Sequence, residues 1–466
     1  MESRKYDPVA ISSKSTVVAE YIPDEQSADS YQSEAQLEAE FIKQLQAQAY
    51  EYCDIHTEQE LEANLRIQLS KLNDVEFTDN EWKTFYKTNI ANAKDGPQEK
   101  TTRIQEDHIQ LLEREDGSTK NIRLIDKDNI HNNYLQVINQ YEVEKGNGAK
   151  HSNRYDVTVL VNGLPLVHVE LKRRGVPLRE AFNQITRYGD ESFSAGAALF
   201  NYIQIFVISN GTSTKYYSNT TRKAHVDASD KKDKKSFVFT SYWADAQNKP
   251  IEDLIAFAKT FFARRTILNI LTKYCVYTED RSLLVMRPYQ IVATERILTR
   301  ILTSSNAGTL GTTAAGGYIW HTTGSGKTLT SFKTAQLATQ VEGVEKVLFV
   351  VDRKDLDYQT KVEYDRFQKG AANGNTSTAQ LRRQLESADP SKKIIVTTIQ
   401  KLARFIEMNK GHVIYNGHVV LIFDECHRSQ FGDMHVAIKK AFKKYNLFGF
   451  TGTPIFAENA GSGKYV

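Results

Sequence analysis

The chain has 466 residues, room for about two to four domains at roughly 100–200 residues each, so a single small module is excluded. Hydrophobic residues make up 40% and charged residues 25%, with only nine prolines; this is the balance of a folded protein, and disorder as the main state is excluded. The net charge of +3 neither marks nor excludes a nucleic-acid binder, because positive surface then depends on local placement.

Cys53, Cys275 and Cys426 lie far apart, which excludes a disulfide framework and a zinc site built from close cysteine pairs. A cytoplasmic protein is expected. The first thirty residues carry no apolar export region, and no run of about 18 apolar residues is present to span a bilayer, so no membrane partner is expected.

Three helix starts open the chain. Ser33 with Gln36, Thr57 with Glu60 and Thr78 with Glu81 have the spacing at which an N-cap hydroxyl and an N3 side chain satisfy each other's backbone amides. Leu37, Phe41 and Leu45, then Leu61, Leu65 and Leu69, recur on one helical face. From about residue 121 the period becomes that of strands, at 156–161, 166–172 and 203–208. The charged stretch 227–236 reads as a surface loop. Helical spacing returns over 257–277, and a boundary near 275–285 separates domains 1–275 and 276–466. Beyond it, β-branched runs at 347–351, 394–398, 419–423 and 447–450 alternate with helical stretches, which predicts a parallel sheet with crossover helices.

Residues 155–175 read YDVTVLVNGLPLVHVELKRRG, two alternating runs around the hairpin signal Asn162-Gly163. A three-residue loop over 162–164 pairs Val161 with Pro165 and therefore Asp156 with Glu170. Glu170 and Lys172 share a face, being two residues apart, while Val169 and Leu171 point into a core. Two carboxylates can hold Mg²⁺ through oxygen ligands, and a lysine beside them can position or help deprotonate a water. A four-residue loop slips the register and turns Asp156 away, leaving a hairpin with a surface salt bridge; spacing alone keeps both readings open. Downstream, Pro177 suits a first helical turn and Gly189 a helix end, with Gln184 and Tyr188 one turn apart between them, beside Arg187.

Residues 321–328 read HTTGSGKT, between a predicted strand and a predicted helix. Gly324 and Gly326 let backbone amides turn inward on phosphate oxygens, Lys327 reaches the β- and γ-phosphates and Thr328 ligates Mg²⁺. The strict pattern has glycine where this chain has His321. About 100 residues on, VVLIFDECH delivers Asp424 and Glu425 at the end of a buried strand, one to hold Mg²⁺ and the other to orient the attacking water. TGTP follows at 451–454. The GSGK run at 461–464 is rejected as a second P-loop, since no hydroxyl follows and no strand precedes it.

In this order the P-loop, the acidic pair and TGTP resemble superfamily 2 helicase and translocase motors. The resemblance implies that Thr323, Gly324, Ser325, Gly326, Lys327 and Thr328 cradle ATP. It also implies that RPYQ (287–290) is a Q motif whose Gln290 reads adenine. Arg353 and Lys354 in VDRKDL, and Thr398 and Lys401 in TTIQKL, then look like contacts to the DNA backbone. Taken alone, each of these is a strand end with a solvated loop. Basic runs at 172–174, 231–235 and 439–444 stand between phosphate contacts and solvated faces; Arg173 and Arg174 adjoin the proposed metal site.

Asp156…Glu170-x-Lys172…Gln184-x-x-x-Tyr188 resembles the PD-(D/E)xK nucleases that carry a Q-x-x-x-Y helix, with Tyr155 in place of the family's proline. By that resemblance one of Glu34, Glu38 or Glu40 supports the metal, although a solvated helix face is the plainer reading of these acids. A nuclease followed by such a motor resembles the restriction (R, motor) subunit of type I restriction–modification enzymes. The stretches NRYDVTVLVNGLPLVHVELK, GGYIWHTTGSGKTLTSFK and FDECHRSQFG carry the likeness over essentially the whole chain. It implies an α/β protein: a restriction-endonuclease-like mixed sheet with flanking helices, then a RecA-like parallel-sheet P-loop domain.

The implied activity is that of a type I site-specific deoxyribonuclease of bacterial or archaeal host defence. It translocates double-stranded DNA with ATP and cleaves it with Mg²⁺ remote from the recognition site, beside methylase (modification) and specificity subunits. The chain ends twelve residues after Pro454, so a fragment lacking the second motor lobe and the helical docking segment is expected, with an incomplete ATPase. A stand-alone repair helicase–nuclease and a non-catalytic DNA-binding remnant are the alternatives.

Overall fold

The computed structural model describes residues 32–143, 153–191, 199–221, 239–322, 324–351, 354–367, 370, 374–375, 377–424 and 433–452. The expected loop at 227–236 and the GSGK run at 461–464 lie outside them. The chain divides into two compact units, 1–277 with 281–289, and 278–280 with 290–466. Among the described residues, no helix is long and apolar enough to cross a membrane.

The first unit opens with α1 (Glu34–Gln46), α2 (Glu58–Asn73) and α3 (Asp79–Phe85). Ser33, Thr57 and Thr78 each form the full reciprocal capping box. At the first, the Gln36 amide donates to Ser33 Oγ at 3.2 Å and the Ser33 amide to Gln36 Oε1 at 2.9 Å. Leu37, Phe41, Leu45, Leu61, Leu65 and Leu69 are all buried, each contributing about 1.5–3 kcal/mol relative to exposure.

Six strands cross the first sheet in chain order: β1 (Glu51–Tyr52), β2 (Leu135–Val143), β3 (Asn153–Val161), β4 (Leu164–Leu171), β5 (Ile205–Ser209) and β6 (Thr214–Ser218). β1 is parallel to β2 and β4 to β5, and the other neighbours are antiparallel. Parallel neighbours need a crossover, and α4 (Leu178–Glu191) lies between β4 and β5 in sequence and packs against both. It runs past Gly189, so that glycine does not end the helix. Outside this sheet, Ile109–Glu113 and Thr119–Arg123 form a separate antiparallel pair.

The helical stretch expected over 257–277 is α5 (Leu254–Phe261), α6 (Arg264–Thr272) and then an extended segment, Cys275–Tyr277. Asp253 caps α5 through the amides of Ile255 and Ala256. The break at Phe262 lets Phe257, Phe261 and Phe262 cluster with Phe41, with ring centroids 4.6 to 5.9 Å apart. Apolar side chains buried on both sides of the break hide it from a periodicity reading.

The second unit is built on β7 (Gly317–Trp320), β8 (Val344–Val351), β9 (Ile394–Thr398), β10 (His418–Phe423) and β11 (Lys444–Thr451). All are parallel, in the order β7-β11-β10-β8-β9. Strands β9 and β10 are buried along their whole length, as parallel strands covered on both faces require. The helices α7 (Pro288–Asn306), α8 (Lys327–Ala338) and α9 (Ile399–Met408) belong to this fold. The architecture is thus α/β throughout, a mixed sheet followed by a parallel one.

Candidate functional site

In the first unit the site is set by the β3–β4 hairpin. Its turn has two residues, not three: Val161 pairs with Leu164, leaving Asn162 at φ 53° and Gly163 at φ 82°, both in the left-handed region that such tight turns require. A Cβ on Gly163 would stand 2.7 Å from Leu65 Cα on α2, so glycine is demanded twice at this position. The pairing runs Leu160 with Pro165, then Val159 with Val167; Leu166 is an extra residue in β4. This bulge restores the expected register, with Thr158 opposite His168 and Val157 opposite Val169, and Asp156 comes to Glu170.

Asp156 Oδ2 accepts a hydrogen bond from the Leu171 amide at 2.8 Å. Glu170 is fully buried; its Oε1 accepts from Lys172 Nζ at 3.2 Å, and the same amine donates to the Leu171 carbonyl at 2.7 Å. Burial pushes the carboxyl of Asp156 well above the usual range, and the neighbouring charge of Glu170 adds to the effect. Burial likewise raises Glu170, against the opposing pull of Lys172. Val169 and Leu171 are buried as expected.

Of the three helix acids, Glu34 reaches this cluster: Oε2 lies 3.9 Å from Lys172 Nζ, and Oε1 accepts from the Arg173 amide at 3.4 Å. Glu38 is buried and accepts from the side chains of Asn139 and Gln140, while Glu40 is exposed and accepts from Gln32 at 3.1 Å. Glu34, Glu38, Asn139, Gln140, Arg154 and Asp156 line a cleft of about 700 Å³. Gln184 is half-buried on α4; the side chain of Tyr188 lies outside the described residues. Arg173 is exposed, whereas Arg174 donates to Gln32 Oε1 at 3.1 Å and lies 4.0 Å from Asp253.

Two members of this face escape a reading by motif. Thr158 Oγ1 lies 3.1 Å from His168 Nδ1, and His168 Nε2 lies 3.3 Å from Glu170 Oε2. Burial lowers the His168 pKa to about 4, so the ring is neutral. The available signal was its position two residues before Glu170 on a strand.

In the second unit, the P-loop leaves β7 at the carboxyl end of the sheet, where open parallel sheets bind ligands. The Ser325 hydroxyl and amide both donate to the Thr322 carbonyl, at 2.6 and 3.2 Å. Gly324 and Gly326 have φ 79° and 78°. The glycine curl delivers α8 with Lys327 as its first residue and Thr328 as its second, both half-buried. Gln290, on α7, donates through Nε2 to the carbonyls of Ser325 and Gly326 at 3.0 and 3.3 Å, so its amide supports the loop. His321, in place of the pattern's glycine, is buried; its amide donates to the Thr451 carbonyl at 3.0 Å, carrying the β7–β11 ladder one step further. Asp424 follows β10, its amide donating to the Val350 carbonyl at 3.1 Å. Thr323, Arg353 and Glu425 lie outside the described residues, as does the side chain of Lys354.

Two DNA-contact candidates are placed otherwise than expected. Thr398 is fully buried, and its hydroxyl caps α9 by accepting from the Lys401 amide at 3.3 Å. The Lys401 amine donates to the Asn375 carbonyl. Thr398 thus spends its hydroxyl on an otherwise unsatisfied amide of its own helix start, whereas the Lys401 amine meets a carbonyl 26 residues earlier in the chain.

The family described as "Type I restriction enzyme R protein N terminus" matches residues 31–225, and that described as "SWI2/SNF2 ATPase" matches residues 289–465. The chain is 43% identical over 440 residues to the SauMSSORF170P endonuclease subunit of a type I restriction enzyme from Staphylococcus aureus (strain MSSA476), covering 92% of this chain and 44% of that protein. It is 48% identical over 298 residues to the EcoprrI endonuclease subunit from Escherichia coli, covering 64% of this chain and 91% of that protein. A solved SWI2/SNF2 ATPase core from Sulfolobus solfataricus in complex with dsDNA aligns over 40% of this chain and 34% of its own, at 20% identity and a TM-score of 0.27. The chain spans less than half the length of the staphylococcal relatives it matches. With a nuclease-type N-terminal region and a SNF2-type ATPase region, the chain belongs to the family of type I restriction enzyme endonuclease subunits.

Proposed function

We propose that the first unit hydrolyses phosphodiester bonds of double-stranded DNA with Mg²⁺, and that the second binds ATP as part of a DNA-translocating motor. The observation that carries the reading is the convergence of Asp156, Glu170 and Lys172 on one face of a buried hairpin. The donor set fits a hard divalent cation. Two carboxyls that burial holds toward the neutral form gain most from a cation beside them, and a cleft opens at Asp156. Asp156 and Glu170 would hold Mg²⁺, which supplies charge stabilisation at the scissile phosphate and a water of lowered pKa. Lys172 holds Glu170 and positions the attacking water, Glu34 steadies the lysine, and Gln184 and Tyr188 support the face from α4. Arg173 and Arg174 meet the DNA backbone.

In the second unit Thr323 to Thr328 wrap the phosphates of ATP. Lys327 binds the β- and γ-phosphates, Thr328 and Asp424 would hold the accompanying Mg²⁺, and Glu425 orients the water. Gln290 braces the loop and reads adenine. Remote cleavage driven by translocation would take place in an assembly with methylase and specificity subunits. The test is a complex reconstituted with those subunits: Lys172→Ala removes DNA cleavage and keeps ATP-driven translocation, while Lys327→Ala removes both. Normal cutting by the Lys172 variant would refute the nuclease assignment.

A further inference from the structure

The geometry points to His168, held by Thr158, as a positioning residue that fixes the carboxylate of Glu170 for the metal. This rests on the nuclease reading above. Thr158 and His168 are directly opposed across β3 and β4, and Glu170 follows two residues on along the same face. The three side chains form a line: Thr158 Oγ1 to His168 Nδ1 at 3.1 Å, then His168 Nε2 to Glu170 Oε2 at 3.3 Å. Lys172 Nζ meets the other oxygen of the same carboxylate at 3.2 Å. Thr158, His168 and Glu170 are all buried.

In the arrangement proposed, Nδ1 accepts from the Thr158 hydroxyl and the ring proton on Nε2 is donated to Glu170, each ring nitrogen standing within hydrogen-bond distance of its partner. Tyr155 and Phe206 meet the imidazole edge-on, with ring centroids 5.7 and 6.3 Å away, and fix its plane. Tyr155 stands where the nuclease family has proline, so the departure from the motif buttresses the histidine. A buried carboxylate needs partners. Partners one step behind a metal ligand set its orientation, and their loss costs about 10–100-fold in metal affinity or activity.

The experiment uses the 466-residue chain with Mn²⁺ as probe, its binding read from the free-ion paramagnetic resonance signal, alongside thermal melting. His168→Leu is expected to weaken Mn²⁺ binding by about 10–100-fold. His168→Gln, which retains an N–H donor, recovers part of that loss. Thr158→Val weakens binding less than His168→Leu. A folded His168→Leu chain that binds Mn²⁺ as tightly as the parent overturns the positioning role, provided Glu170→Gln abolishes binding. Unchanged binding in Glu170→Gln as well overturns the metal site itself. Should His168→Leu fail to fold, Thr158→Val decides by the same criterion: weakened binding supports the role, and parental affinity overturns it.

Discussion

The carboxylate of Asp156 accepts a hydrogen bond from the backbone amide of Leu171, 2.8 Å away across the hairpin. Leu171 is the residue between Glu170 and Lys172. The first acid is therefore tied to the strand segment that carries the other two groups, and all three are placed by one register.

Burial holds both Asp156 and Glu170 above their ordinary values, which fixes the sign of a pH effect. Between the unfolded values near about 4 and the raised folded ones, the folded chain binds protons that the unfolded chain has released. The stability supplied by this pair is present at low pH and lost as pH rises through the folded values. A divalent cation that binds the ionised pair offsets the loss, so the melting temperature gained with Ca²⁺ should grow from about pH 5 to about pH 8. Asp156→Asn should flatten both trends. Melting curves that ignore Ca²⁺ throughout this range would contradict the cation site.

Gly163→Ala tests the turn. The added methyl meets Leu65 Cα at 2.7 Å, in a residue already at φ 82°. Strain of this kind costs about 1–3 kcal/mol, expected as a lower melting temperature of the first unit. ATP binding by the second unit should be unchanged, and a melting temperature equal to the parent's would show that α2 gives way.

Where the governing chemistry is local, the sequence is readable. Ser33, Thr57 and Thr78 announce their helices because a capping box closes within four residues, and four of the five strands of the parallel sheet contain short apolar runs, at 347–351, 394–398, 419–423 and 447–450. The hairpin shows the limit. Asp156 meets Glu170 as the spacing predicts, but by a two-residue turn plus a bulge at Leu166, two errors of opposite sign that residue numbers cannot separate. His168 reads as a core residue in LPLVHVELK because its partner Thr158 lies on another strand. Thr398 and Lys401 look like surface contacts in TTIQKL until the fold turns one into a cap and hands the other to Asn375.

Gln290 and Gly326 allow a double-mutant cycle on the P-loop. Gln290→Ala removes the donor to Ser325 and Gly326 and should weaken ATP binding by about 1–2 kcal/mol, or about 5–30-fold. Gly326→Ala places a methyl 2.6 Å from Gln290 Nε2 at φ 78° and should cost more. In the Gln290→Ala background that clash is gone, so the glycine substitution should cost less there. Strictly additive losses, read by titrating a fluorescent ATP analogue, would show that the amide does not brace the loop.

Arg173 and Lys401 separate a phosphate contact from a fold-internal lysine. Arg173 is exposed beside the carboxylate cluster, whereas the Lys401 amine is already bonded to the Asn375 carbonyl. Each phosphate neutralised steepens the dependence of log affinity on log salt by about 0.9. Arg173→Ala should therefore reduce that slope for duplex DNA by about one contact's worth. Lys401→Ala should leave the slope unchanged and lower the melting temperature of the second unit instead. Thr398→Val should do the same through loss of the α9 cap, at a cost of about 1 kcal/mol. If Lys401→Ala flattened the salt dependence and Arg173→Ala did not, the track of the DNA would have to be redrawn through β9.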